Sequence, residues 1–73
     1  MSKKFINDLI GKECRIIPLE CDGTITEMSI GMKGLMLYVR HFINSSIQEE
    51  FFYPRELKLK VGNLANYLTI LNN

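Results

Sequence analysis

Apolar and aromatic side chains fill 35–43 almost without interruption, with β-branched Val39 and the rings of Tyr38 and Phe42 suited to a pleated surface. Asn44, Ser45 and Ser46 follow, small polar residues that bond their own backbone and favour a turn. A strand-like pattern resumes at 47–53 and ends in Phe51, Phe52 and Tyr53. Two such runs about a short polar connection predict a hairpin. With neither Asn-Gly nor Asp-Gly between them, the expected loop is three to five residues long.

Pro54 cannot donate to a ladder and biases Tyr53 towards extended backbone, so 54–56 reads as one turn of 3₁₀ helix. Beyond it, Leu57 and Leu59 alternate with Lys58 and Lys60, the period of a strand with one wet face. Upstream, 12–19 predicts a first strand, with Cys14 and Ile16 on one face and Glu13, Arg15 and Ile17 on the other. Pro18 marks that strand's end or an edge, and 20–23 reads as a turn built on Asp22-Gly23. The second strand is expected at 24–30. Ile25 is out of phase there with Met28 and Ile30, which predicts a bulge near Thr26 and Glu27.

Both ends carry helical spacing. Phe5, Ile6, Leu9 and Ile10 form one stripe, with Ser2 to cap it and Gly11 to end it. Leu64, Tyr67, Leu68 and Leu71 form the other. The expectation is therefore a mainly β protein: a single domain over 1–73, its strands within about 12–60, with 1–11 and 61–73 packing on them. Five short strands joined by tight turns, with one 3₁₀ turn before the last, suggest a small closed barrel.

The central hairpin is apolar on both faces. Leu35, Leu37, Val39, His41 and Ile43 share one side, and Met36, Tyr38, Arg40 and Phe42 the other, while the next strand adds Phe51 to one face and Phe52 to the other. A sheet with one solvated face alternates more cleanly than this. Either the chain's own ends cover the second face, or a partner or a second copy does. The residues expected to meet a protein partner are Tyr38, Arg40, Phe42 and Phe52. A plainer role for Arg40 is an ion pair with Glu49 or Glu50 across the hairpin, and for His41 a half-buried place at a sheet edge.

Composition narrows the function classes. A formal net charge of +1 over 73 residues lacks the basic stripe of a general nucleic-acid binder. A local patch built from Lys33, Arg40, Arg55, Lys58 and Lys60 remains the alternative. Two cysteines and one histidine supply no zinc-ligand spacing, so no metal or other cofactor is expected. Cys14 and Cys21 read as small buried hydrophobes. The glycines of 31–34 lack a phosphate-loop pattern, and nothing assembles a base, an orienting group and a nucleophile. Neither an enzyme nor a small-molecule substrate is expected. With no secretory leader and no apolar run near ~20 residues, the chain is expected to be soluble and cytoplasmic.

The run Gly23-Thr24-Ile25-Thr26-Glu27, with Tyr38-Val39-Arg40-His41-Phe42 and Phe51-Phe52-Tyr53-Pro54-Arg55-Glu56-Leu57, resembles small uncharacterised SH3-like proteins of bacteria and their phages, over roughly 12–60. The resemblance implies a five-stranded SH3-like barrel of KOW- or Tudor-like architecture, and with it a non-catalytic adaptor or inhibitor, or a nucleic-acid module. It does not extend to proline-rich peptide binding, because the chain has no Trp and no Ala-Leu-Tyr-Asp-Tyr-like opening.

Overall fold

The computed structural model describes residues 9–60 and Gly62. The helices expected at 2–10 and 61–73 lie almost wholly outside them. Five antiparallel strands, β1 (Glu13–Ile16), β2 (Cys21–Gly31), β3 (Gly34–Ile43), β4 (Ser46–Phe52) and β5 (Leu57–Leu59), form one sheet in the order β4-β3-β2-β1-β5. A 3₁₀ turn over Pro54–Glu56 joins the last two, at the place the proline predicts. It is pinned at both ends: Glu56 N–H donates to the Tyr53 carbonyl at 2.9 Å, and Tyr53 N–H donates to Glu56 Oε1 at 2.9 Å.

Among the described residues β4 and β5 do not pair, so the sheet is not closed into the barrel that the sequence suggests. One face of the sheet makes the core. Cys14 and Ile16 enter from β1, Ile25 from β2, Leu37 and Val39 from β3, Phe52 from β4, and Leu57 and Leu59 from β5; Leu9 packs with them. Strict alternation explains the set, since each strand places every second side chain on that face.

The bulge lies where the phase of Ile25 predicts it. Ile25 pairs with Val39 but Glu27 pairs with Tyr38, leaving Thr26 as the extra residue. In a strand without the bulge, Ile25 and Met28, three residues apart, would face opposite sides. Thr26 Oγ1 donates to the Tyr38 carbonyl at 3.3 Å, returning one polar contact to the interrupted ladder.

Three expectations are corrected. β1 stops at Ile16 and the turn is 17–20, with Glu20 at φ 52°, so Asp22 and Gly23 belong to β2 rather than to a turn. The β3–β4 connection has two residues, not three to five: Ile43 pairs with Ser46, and Asn44 and Ser45 stand at φ 50° and 69°. Positive φ at both positions is the type I′ geometry, whose twist matches the flanking strands. His41 is not half-buried at an edge. It lies in an interior strand, in phase with Leu37 and Val39, and is 1% exposed.

Candidate surface of the β3–β4 hairpin

The face of β3 and β4 opposite the core is built from cross-strand pairs. Tyr38 faces Phe51, Arg40 faces Glu49, and Phe42 faces Ile47. In a two-residue hairpin the pair flanking the turn exchanges both backbone bonds, and the pattern alternates from there. These three are therefore the non-hydrogen-bonded pairs, in which side chains approach most closely. The geometry agrees: the Tyr38 and Phe51 ring centroids are 4.6 Å apart with planes tilted by 43°, and Arg40 Nη2 lies 3.8 Å from Glu49 Oε2.

The apolar members are open to solvent. Phe42 is 62% exposed, Ile47 61% and Phe51 47%. Single exposed apolar side chains are ordinary, but contiguous ones on a sheet face are the usual mark of an interface. Thr24 lies between Glu13 and Arg40 in the register. With Asp22 and Phe42 these residues border an open depression of about 250 Å³ beside the aromatic pairs.

Tyr38, Arg40 and Phe42 thus come together as the sequence suggests. Phe52 does not join them: it faces Leu37 and is buried in the core, because alternation sends it to the opposite side from Phe51. Ile47, Glu49 and Phe51 complete this face and lie outside the set the sequence suggests. Recognising the two-residue turn would have supplied them, since turn length alone fixes which residues of β4 lie across from Tyr38, Arg40 and Phe42.

The five alternative cations are spread over the β2–β3 turn, β3, the 3₁₀ turn and the end of β5. Lys33 is in the β2–β3 turn and Arg40 faces Glu49. The Arg55 guanidinium stands 4.3 Å from the centroid of the Tyr53 ring. Lys58 lies opposite Arg15, and Lys60 Nζ is 2.7 Å from Asp22 Oδ2. Arg15 also reaches Asp22, at 3.3 Å, and the two cations hold that carboxyl below its ordinary range through their hydrogen bonds.

On the core face, His41 Nδ1 is 3.4 Å from the Val39 carbonyl, and its ring meets Phe52 edge-on at 5.9 Å. The Glu50 carboxylate comes within 3.3 Å of Nε2, yet off the line of a hydrogen bond, which leaves Nε2 buried without a bonded partner. Burial, with Asp22 and Cys21 nearby, pushes the Cys14 thiol up to about 11, so it packs as an apolar group; Cys21 is only half-buried. Among the described residues no group of three or more His, Cys, Asp and Glu could hold a metal ion, and no helix is long and apolar enough to cross a membrane.

Comparison with protein-family models, with curated proteins and with solved structures finds no match, and none of the three identifies an SH3-like family.

Proposed function

We propose that this chain is a small non-catalytic interaction module, an adaptor or inhibitor, that binds a protein partner through the outer face of its β3–β4 hairpin. The carrying observation is the pair Phe42 and Ile47, cross-strand neighbours that are both more than half exposed, on the same face as the tilted ring pair of Tyr38 and Phe51 with Arg40 and Glu49 between them. A sheet face of three rings and Ile47, with Arg40 opposite Glu49 in its middle, has the make-up of a protein-binding patch. We extend the proposal to the fold: a meander of four strands, a 3₁₀ turn and a last strand beside the first is the SH3-like order. Phe52 of one edge strand and Leu57 and Leu59 of the other belong to one buried cluster, which supports a sheet curled towards closure. The reading also puts the chain in a reducing cytoplasm, where Cys14 and Cys21 stay as free thiols.

The nucleic-acid alternative has less support, because Lys60 already meets the Asp22 carboxylate at 2.7 Å and the Arg55 guanidinium lies over the Tyr53 ring. Affinity capture from the native host with wild type and with Phe42→Asp tests the choice. Under this proposal a defined protein is retained by wild type, survives raised salt and is lost with Phe42→Asp. Recovery of nucleic acid that falls away steeply with salt and ignores Phe42→Asp would overturn it.

A further inference from the structure

The two edges of the sheet differ. β5 is three residues long and carries Lys58, both of which discourage strand addition. β4 is seven residues long, pairs with β3 without a bulge from Ser46 to Phe52, and contains neither Lys nor Pro. Among the described residues nothing pairs with its other side. The hairpin pattern turns the backbone N–H and C=O of Ser46, Gln48, Glu50 and Phe52 towards β3. Those of Ile47, Glu49 and Phe51 therefore point away from the sheet. The same three residues present their side chains on the outer face, so one edge offers backbone bonds and an apolar-acidic-apolar row together.

From this we infer that β4 is a docking edge for an extended, basic segment of a partner protein, which adds to the sheet as a sixth strand. The inference rests on the protein-binding reading above and names its partner chemistry. Charge decides the occupant. A second copy pairing with β4 about a two-fold axis at the strand's centre would set Glu49 against Glu49 of its mate, and like charges directly opposite are destabilising. A partner with Lys or Arg opposite Glu49 and Glu50, and apolar residues opposite Ile47 and Phe51, meets complementary chemistry at each position. The Arg40 contact does not use Glu49 up: at 3.8 Å and half-exposed it is a weak pair, and a closer cation competes with it. Glu50 likewise stands half-exposed at the rim of the core, beside His41.

The test uses the full chain and three capped peptides: Thr-Val-Lys-Lys-Thr-Val-Thr, the same peptide with Glu for Lys, and the lysine peptide N-methylated at its second, fourth and sixth residues. Binding is read by fluorescence anisotropy, and amide exchange by NMR. The lysine peptide should bind saturably and slow exchange at Ile47, Glu49 and Phe51. The glutamate and N-methylated peptides should bind roughly tenfold more weakly or worse. Ile47→Pro, which removes an outward N–H without touching the β3 ladder, should stay folded and lose the peptide. Equal binding of the N-methylated peptide, no binding of the lysine peptide, or β4 amides already protected by a second copy or by the chain's own ends would each overturn strand addition. Such a failure, with Phe42-dependent capture intact, leaves the outer-face reading standing; loss of that dependence overturns the reading itself.

Discussion

Gly23 lies so close to Val39 that a β-carbon on it would sit 2.6 Å from Val39 Cγ1. The same atom would fall 2.8 Å from the Arg40 carbonyl oxygen and 3.2 Å from Ile16 Cδ1. The core is thus packed against bare backbone at one place on β2, where no other residue type fits. Gly23→Ala is expected to lower stability by about 1–3 kcal/mol, as overpacking does. Trimming Val39 in the same chain does not restore it, because the carbonyl is fixed in the ladder. Urea midpoints of the single and double variants measure this.

The β3–β4 turn holds a residue that its backbone does not favour. Ser45 stands at φ 69°, where a β-carbon is crowded. Ser45→Gly should raise stability by about 0.5–1 kcal/mol net of the extra freedom it gives the unfolded chain. Ser45→Val should lower it. Thermal unfolding of the three proteins, in that rank order, is the check.

Stability should fall at both ends of the pH scale. Asp22 has a folded pKa below its ordinary 3.8, so its clasp with Lys60 and Arg15 contributes above that value and is lost as pH drops through the folded one. Asp22→Asn should flatten this acid limb. Cys14 behaves in the opposite sense. Its folded value of about 11 lies above the ordinary 9.0, so its contribution is complete below 9.0 and fades as pH climbs towards 11. Cys14→Ala should remove that alkaline loss. A pH series of urea midpoints separates the two limbs.

How far the sequence reveals this structure varies by residue, for physical reasons. The out-of-phase Ile25 exposes the bulge, because only an extra residue lets both Ile25 and Met28 serve one face. Pro54 marks the 3₁₀ turn, since its ring fixes φ and its missing N–H ends the ladder. Gly23 misleads: Asp-Gly is a turn signal locally, but here the glycine answers to Val39 and Arg40, which are distant in sequence. Asn44-Ser45 hides its two-residue turn because it lacks the glycine that normally marks type I′. The candidate surface is half legible for the same reason. Alternation within β3 gives Tyr38, Arg40 and Phe42, while their partners Phe51, Glu49 and Ile47 depend on the turn.

Substitutions confined to the outer face should cost little. Ile47→Lys is expected to change stability by about 0.5 kcal/mol or less, in line with other exposed positions, and Phe51→Lys, which also loses the ring contact with Tyr38, by about 1 kcal/mol. Each should still weaken partner capture. Calorimetry beside the capture assay distinguishes a lost surface from a lost fold.

The division of β3 into a face for the core and an outer face is measured most directly by one charge placed on each side. Val39→Asp sets an unpaired carboxylate in the core and should abolish cooperative unfolding, because that burial costs several kcal/mol in a small domain. Phe42→Asp, three residues along the same strand, should unfold at a urea midpoint close to wild type. A Phe42→Asp protein that fails to fold, or a Val39→Asp protein that unfolds like wild type, would contradict the assignment of the two faces.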